Sequence, residues 1–99
     1  MRTSPQTVSV LRALKESADS WSYGYDLSKS TGIKSGTLYP ILARLHDEAW
    51  LETKWAEPQE PGRPPRHLYR LTATGSRESI RLLSSRAAKK HVTRLALES

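Results

Sequence analysis

The sequence predicts an α+β fold, mainly helical, in which three short helices precede a small β-hairpin and one long helix follows it. Apolar residues recur at helical spacing in the first half of the chain. The pattern then changes to partial alternation on both sides of a proline-rich segment, and a long helical stripe closes the sequence. With 99 residues, the chain suits one domain. A domain of this size buries a limited fraction of its surface, so further burial in a dimer would help to stabilise it.

Two helices are predicted in the first third of the chain. Ser4 and Pro5 suit an N-cap and a first helical position, so helix 1 is expected over residues 5–17. After a polar loop, a short second helix is expected over residues 23–31. Gly32 follows it and suits the left-handed conformation that commonly ends a helix.

A third helix is predicted to begin at Ser35, because an apolar stripe at helical spacing follows that residue. Pro40 falls beyond the first turn and removes a helical hydrogen bond, so we expect a distorted but continuous helix. Helices 2 and 3 are joined by a tight turn that contains glycine. Two short helices joined in this way are typical of a helix-turn-helix.

The next part of the chain predicts a β-hairpin. Residues 51–57 and 67–71 each alternate with a period of two, which is typical of strands. Residues 58–66 between them are rich in proline and carry two arginines, which excludes a helix or a central strand. A hairpin of this kind after a helix-turn-helix is a wing, so residues 1–71 are expected to form a winged helix-turn-helix DNA-binding domain.

The last segment, residues 72–99, predicts a C-terminal dimerisation helix. Thr72 suits its N-cap, whereas Gly75 weakens its first turn by about 1 kcal/mol relative to alanine. At about 1.5 Å per residue the helix is longer than so small a domain can cover. The alternative is a helix that folds back on its own domain. The expected dimer interface consists of Leu11, Ile80, Leu83, Ala87, Val92 and Leu95.

Composition narrows the classes of function. The net charge is +6 and the isoelectric point is about 10.0, which favours a polyanion such as nucleic acid as the partner. Cysteine is absent, which excludes a disulfide framework or a thiolate nucleophile and is typical of a cytoplasmic protein. No signal sequence and no run near the roughly 20 apolar residues of a membrane span is visible, so no membrane partner is expected.

The start of helix 3 and the tip of the hairpin are the candidate DNA-binding sites. A helix N-terminus presents free N–H groups and the positive end of its dipole to phosphate, and a helix fits the major groove. Arginines on a stiff, proline-bearing tip suit a minor groove. The alternatives are an ordinary capped helix and a tip whose arginines are only solvated. We assign phosphate contacts to Lys34, Ser35, Arg63 and Arg66, and contacts near base edges to Thr37, Tyr39 and Arg44.

Other kinds of site find little support. The three histidines are dispersed and no cysteine accompanies them, so no metal site is expected. No nucleophile with a nearby base, no paired buried carboxylates and no phosphate-cradling glycine loop is visible, so neither an enzyme nor a bound cofactor is expected. Three tryptophans either pack in the core or line a small-molecule pocket at a dimer interface: Trp21, Trp50 and Trp55.

Five stretches of sequence point together to one family. They are Tyr23-Gly24-Tyr25-Asp26-Leu27, Ser35-Gly36-Thr37-Leu38-Tyr39-Pro40-Ile41-Leu42, Arg44-Leu45, Gly62-Arg63-Pro64-Pro65-Arg66, and Tyr69-Arg70-Leu71-Thr72 with Gly75. In this order, over about residues 6–85, they resemble the PadR-like transcriptional regulators.

The resemblance implies a winged-helix domain, a two-fold dimer built with the C-terminal helix, and binding to operator DNA, usually as a repressor. It carries recognition-helix contacts over to Ser35, Thr37 and Tyr39, and wing contacts to Arg63 and Arg66. It also implies, as in many members of the family, release of DNA when a small aromatic or cationic ligand binds.

Two features depart from the family pattern. Ala49 stands before the predicted strand where members usually have glycine, and alanine tolerates a left-handed backbone poorly, so helix 3 is expected to close differently. The C-terminal region is one helix without a following bundle, so a sensor pocket is expected only at the dimer interface.

The sequence therefore predicts a homodimeric winged-helix repressor that recognises an inverted-repeat operator. Two alternatives of other classes stay open. One is an architectural DNA-binding protein without sequence preference. The other is a winged helix that binds protein and whose basic surface is incidental.

Overall fold

The computed structural model describes residues 3–17, 20–58, 61–62 and 65–84 of the chain. In this part, helices and strands follow in the order α1 (Pro5–Glu16), β1 (Ser22–Tyr23), α2 (Gly24–Thr31), α3 (Ser35–Asp47), β2 (Leu51–Ala56), β3 (Arg66–Leu71) and a helix α4, described over residues 73–84. Three helices, an antiparallel hairpin and a following helix confirm the predicted α+β winged helix-turn-helix.

The described strands form one antiparallel sheet in the order β1-β3-β2. Strands β2 and β3 are the predicted hairpin and pair along their whole lengths. Strand β1 replaces an expected loop, because a strand of two residues is too short to show alternation. Ser22 lies opposite Tyr69 and Tyr23 lies opposite Leu68, so β3 is central and the start of α2 lies beside the wing.

The starts and ends of the first two helices follow their sequence signals. The Ser4 hydroxyl accepts a hydrogen bond from the N–H of Thr7 at 3.2 Å, and Pro5 occupies the first turn of α1. Gly32 ends α2 with φ of 74°, which confirms the predicted left-handed cap.

Helix α3 continues through Pro40 without a break, as expected. The proline lacks the N–H that would bond to the carbonyl of Gly36, four residues earlier. Both residues are exposed, so water can bond to that carbonyl in place of the missing donor.

Helices α1, α2 and α3 enclose one hydrophobic core with the sheet. Its buried members are Val10, Leu11, Leu14, Leu27, Ile33, Leu38, Ile41, Leu42, Leu45, Leu51 and Tyr69. Leu11 was expected to contribute to a dimer interface, but it is 0% exposed within its own domain. Because Leu11 has no surface left to offer a partner, we remove it from the proposed interface.

The end of α3 corrects the expectation for Ala49. This residue adopts φ of 63°, so the helix closes in the left-handed conformation although it lacks the usual glycine. The N–H of Trp50 donates to the carbonyl of Leu45 at 2.9 Å and the N–H of Ala49 donates to that of His46 at 3.0 Å, which is the Schellman arrangement. The strain of a left-handed alanine, about 1 kcal/mol, is offset by these bonds.

A second set of contacts ties this helix end to the start of α4. The Thr72 hydroxyl donates to the carbonyl of Ala49 at 2.7 Å and accepts from the N–H of Gly75 at 3.0 Å, so the predicted N-cap also links two helices. A Cβ atom on Gly75 would lie 2.0 Å from the carbonyl oxygen of Trp50. Gly75 therefore permits a close approach of two backbones, which outweighs its poor helix propensity.

Helix α4 leaves part of the predicted apolar stripe uncovered. Leu82 packs against the core, Leu83 is half-buried and Ile80 is 51% exposed. The remaining predicted interface residues lie outside the described residues; they are Ala87, Val92 and Leu95.

Candidate nucleic-acid interface

The start of α3 is an exposed, polar and basic surface. Lys34, Ser35, Gly36 and Thr37 are all exposed, whereas Leu38 after them is buried and anchors the helix to the core. No acidic residue lies in the first turn, so nothing on the helix itself cancels the positive end of its dipole. Free N–H groups, two hydroxyls and an ammonium group can together bind phosphate or base edges.

Arg44 extends this surface along the helix. It is exposed and lies seven residues after Thr37, which places both on one face two turns apart. We call the exposed face that carries Lys34, Ser35, Thr37 and Arg44 the recognition face.

Tyr39 is placed differently from its predicted neighbours. Its side chain reaches back to the start of α2, where a Cβ atom on Gly24 would lie 2.5 Å from the Tyr39 hydroxyl oxygen and 3.0 Å from two ring carbons. The ring is still 44% exposed. Tyr39 therefore bridges α3 and α2, and the absence of a side chain at residue 24 makes room for it.

The base of the wing supplies one further cation. Arg66 is exposed at the first position of β3, and its guanidinium carbon lies 5.0 Å from the centre of the Tyr23 ring in β1. This cation–π contact holds the arginine at the base of the wing. Arg63, the other predicted wing residue, lies outside the described residues.

A cavity of about 500 Å³ lies between the start of α2, the middle of α3 and the base of the wing. We call it the aromatic cavity, because six of its lining residues carry aromatic rings. Its lining is Tyr23, Gly24, Tyr25, Asp26, Tyr39, Trp55, Pro65, Arg66, His67 and Tyr69. Sequence reasoning missed this site, because its residues come from separate segments that only the fold brings together.

The aromatic rings of the wing are arranged as a stack. The Trp55 and His67 ring centres are 4.3 Å apart with planes 12° from parallel, and His67 and Tyr69 are 4.5 Å apart. Burial lowers the pKa of His67, and the charge of nearby His46 lowers it further. Burial raises the pKa of Tyr69, and Tyr39 adds to this effect. Tyr69 therefore keeps its proton and can donate it across 3.0 Å to Nδ1 of a neutral His67.

Residues 3–17, 20–58, 61–62 and 65–84 contain neither a candidate metal site nor a candidate membrane-spanning helix. No group of three or more histidine, cysteine or acidic side chains there could hold a metal ion. No helix in those ranges has the length and apolar character that a membrane crossing requires.

Comparison with known proteins agrees with this geometry. The family described as Transcriptional regulator PadR-like family matches residues 10–81, most of the chain. The chain belongs to the PadR-like family. It is therefore a DNA-binding transcription regulator of the winged-helix type and not an enzyme.

Solved structures similar to this PadR-like regulator include smu.1704 from Streptococcus mutans, at 31% identity and a TM-score of 0.79, with 100% of this chain and 93% of that chain covered. A PadR family transcriptional regulator from Eggerthella lenta is 28% identical at a TM-score of 0.75, covering 91% and 81% of the two chains. The PcaV regulator from Streptomyces coelicolor, solved with its natural ligand, is 26% identical at a TM-score of 0.73. The match covers 95% of this chain and 62% of the PcaV chain. No curated protein matches the sequence.

The three tryptophans of this PadR-like regulator do not converge on one pocket. Trp50 packs against the core and Trp55 lines the aromatic cavity. The ring of Trp21 lies 4.4 Å from Lys54 Nζ and 4.4 Å from the guanidinium carbon of Arg70. Trp21 thus packs between two cations of the wing.

Proposed function

We propose that this PadR-like regulator binds an inverted-repeat operator as a homodimer and represses transcription from it. The observation that carries the proposal is the recognition face, where polar and basic side chains surround a helix start without an acidic residue. Phosphate contacts from Lys34 and Ser35 would supply affinity, and Thr37 and Arg44 would supply discrimination among bases. Arg66 would add a contact from the wing.

The proposal also covers two further residues and the location of the protein. Tyr39 stays a candidate for base contact, although its ring also packs on Gly24. Arg63 is proposed on the sequence alone. A cytoplasmic location, expected from the absence of cysteine, belongs to the same proposal.

The dimer is proposed to form through α4. Ile80 is 51% exposed and Leu83 is half-buried, so the described start of the helix presents apolar surface that its own domain does not cover. A second copy that packs along the helix would remove this surface from water. Residues 1–71 would then be the DNA-binding domain and residues 72–99 the dimerisation helix, with Ala87, Val92 and Leu95 continuing the interface.

A small aromatic or cationic effector is the last part of the proposal. Its support is the resemblance to PadR-like regulators together with the similarity to PcaV, which was solved in complex with its natural ligand. Such an effector would relieve repression by binding better to the form of the dimer that has left DNA.

Selection of binding sites from a random duplex pool at physiological salt tests operator recognition. Enrichment of an inverted repeat, with half-site centres about one helical turn apart or a multiple of it, is the expected result. Salt-sensitive binding without an enriched motif would favour the architectural alternative, and no DNA binding would favour the protein-interaction alternative. Expression of a reporter behind the selected site, with and without the protein, then measures the sign of regulation.

Variants of the recognition face separate affinity from discrimination. Lys34→Ala should weaken binding to selected and scrambled duplexes about equally, whereas Thr37→Ala should weaken the selected duplex by about tenfold more than the scrambled one. Arg12→Ala, which removes an exposed cation from α1, is the control and should change neither by as much as Lys34→Ala. Equal losses for Lys34→Ala and Arg12→Ala would refute the assignment of Lys34.

Sedimentation tests the dimer. Ile80→Asp with Leu83→Asp should give monomers, because two carboxylates cannot be buried at the interface without a large cost. The control, Arg77→Gln with Arg81→Gln, lowers the net charge by the same amount on the same helix and should stay dimeric. If the double aspartate variant sediments as a dimer, the interface lies elsewhere.

A further inference from the structure

One hydroxyl group bridges the end of α3 and the start of α4. The Thr72 hydroxyl donates to the carbonyl of Ala49 at 2.7 Å and accepts from the N–H of Gly75 at 3.0 Å. Ala49 follows the last turn of α3, and Gly75 lies in the first turn of α4. An ordinary N-cap serves only its own helix, whereas this one also holds a second helix in place. We call Ala49, Trp50, Thr72 and Gly75 the joint.

The two backbones also meet directly at the joint. The N–H of Thr72 donates to the carbonyl of Trp50 at 3.0 Å. A Cβ atom on Gly75 would lie 2.0 Å from the oxygen of that same carbonyl, so no side chain separates the two backbones. Contact between backbones leaves less room for adjustment than contact between flexible side chains, so the joint fixes the angle at which α4 leaves the domain.

Close packing continues from the joint along α4. One face of the helix carries Gly75, Ser79 and Leu82, which lie four and three residues apart. Ser79 is fully buried and donates to the carbonyl of Gly75 within its own helix, while Leu82 packs against the core. From α1, Lys15 Nζ donates to the Ser76 hydroxyl at 3.0 Å. The described start of α4 is therefore fixed to the domain that carries the recognition face.

Another side of α4 is turned to solvent. Ile80 is 51% exposed there and belongs to the dimer interface proposed above. The joint thus lies between the surface proposed to meet a second copy and the surface proposed to meet DNA. Residues 73–84 extend about 18 Å, so a tilt of about 10° at the joint moves the far end by about 3 Å, close to the rise of about 3.4 Å for one base pair.

We propose that Thr72 is a positioning residue for operator recognition, whose hydroxyl fixes the half-site spacing that the dimer accepts. This role rests on the proposed homodimer and its inverted-repeat operator. In such a dimer the distance between the two recognition faces depends on the angle between α4 and α3. The Thr72 hydroxyl restricts that angle, so its loss lets each recognition face move relative to the dimer interface. The affinity for one half-site depends on the recognition face alone and stays unchanged.

A distance measurement without DNA tests the joint itself. The chain has no cysteine, so Ala43→Cys, on the exposed side of α3, attaches one spin label to each copy. Pulsed electron–electron resonance of the dimer should give one narrow distance distribution, which Thr72→Val should broaden about twofold or more. Thr72→Ser keeps both hydrogen bonds of the hydroxyl and should restore the narrow distribution. Equal widths in all three proteins would overturn the proposal.

Half-site spacing on DNA tests the consequence. Two selected half-sites are placed at the selected spacing, or one or two base pairs closer together or farther apart, and the affinity for each duplex is measured. We expect the wild type to prefer one spacing by about tenfold over its neighbours, and Thr72→Val to prefer it by about threefold or less. Affinity for a duplex with one half-site should change by less than about twofold, and Thr72→Ser should restore the preference.

Ser4→Ala is the matched control for Thr72→Val. Each of the two hydroxyls accepts a hydrogen bond from an N–H in the first turn of a helix, so each loss lowers stability by a similar amount. Among the described residues, however, the Ser4 hydroxyl bonds only to Thr7 of α1. Ser4→Ala should therefore keep the wild-type spacing preference. A loss of that preference in both variants would make it an effect of stability and refute the role of Thr72.

The same measurements separate the role of Thr72 from the function on which it rests. If the wild type forms no dimer, or prefers no spacing, the proposed operator recognition fails and the role of Thr72 fails with it. If the wild type prefers one spacing and Thr72→Val keeps that preference, operator recognition stands and only the role of Thr72 is wrong.

Discussion

The two ends of α3 differ in what happens to their unpaired backbone groups. Each end of a helix leaves backbone groups without helical partners. At the start, Lys34 to Thr37 are exposed and no side chain caps the helix, so the N–H groups of Ser35 and Gly36 are available to a ligand. At the end, a Schellman arrangement satisfies the carbonyls of Leu45 and His46, and the Thr72 hydroxyl donates to that of Ala49 and joins the helix to α4. The end that we propose to bind DNA is open, and the end that joins α3 to α4 is closed.

The largest expected effect breaks the closed end. Gly75→Ala would place a Cβ atom 2.0 Å from the Trp50 carbonyl oxygen, and a backbone atom cannot move away as a side chain can. We expect a loss of about 3 kcal/mol in the free energy of unfolding, measured by urea denaturation. A variant as stable as the wild type would show that the two backbones can separate without cost.

The contrast between the two ends also shows what sequence reasoning reaches. The caps at Ser4, Gly32 and Thr72 were predicted because each depends on residues close in sequence. The left-handed Ala49 was not, because the bond from Thr72 that supports it spans 23 residues. Local propensity argued against that conformation, and tertiary contacts outweighed it.

The candidate site also has one part that sequence reasoning predicted and one part that it missed. The recognition face was predicted because all its residues lie on or beside one helix, where helical spacing alone relates the helix start to Arg44. The aromatic cavity was missed, since Tyr23, Tyr39, Trp55 and His67 meet only after β1 pairs with β3 and the hairpin forms. Even so, the resemblance to PadR-like regulators rested partly on Tyr23, Tyr25 and Tyr39, which the structure shows lining that cavity.

A second prediction relieves strain at the closed end. Ala49→Gly should raise the free energy of unfolding by about 1 kcal/mol, because glycine adopts φ of 63° without steric cost and the residue is exposed. Thermal and urea denaturation measure the gain. A less stable variant would mean that the greater freedom of glycine in the unfolded chain outweighs the relief of strain.

A matched change at the open end should act on binding as well as stability. Nothing lies within 4 Å of a Cβ atom placed on Gly36, so Gly36→Ala should stabilise the fold by about 0.5–1 kcal/mol. The added methyl group lies on the recognition face and should weaken binding to a selected duplex. Denaturation and DNA titration of the same variant check both effects. Unchanged affinity would indicate that DNA does not approach this turn closely.

The smallest predicted effect concerns the pKa of His67 in the wing, which His46 in the last turn of α3 helps to lower. Burial first, and His46 second, lower the pKa of His67 below 6.5 in the folded protein. Between the folded pKa and 6.5 the unfolded chain binds more protons than the folded one. The stability of the fold should therefore decrease as pH falls below about 6.5 and should gain nothing more from His67 above it.

His67→Gln isolates this contribution, because every other titrating group is common to both proteins. Urea denaturation between pH 5 and pH 8 should show a smaller loss of stability on acidification in the variant than in the wild type. His46→Gln should reduce the loss by a lesser amount, since burial is the larger cause and stays in place. Identical pH profiles for all three proteins would mean that the His67 ring accepts its proton as readily in the fold as outside it. The stack from Trp55 to Tyr69 would then not depend on a neutral imidazole.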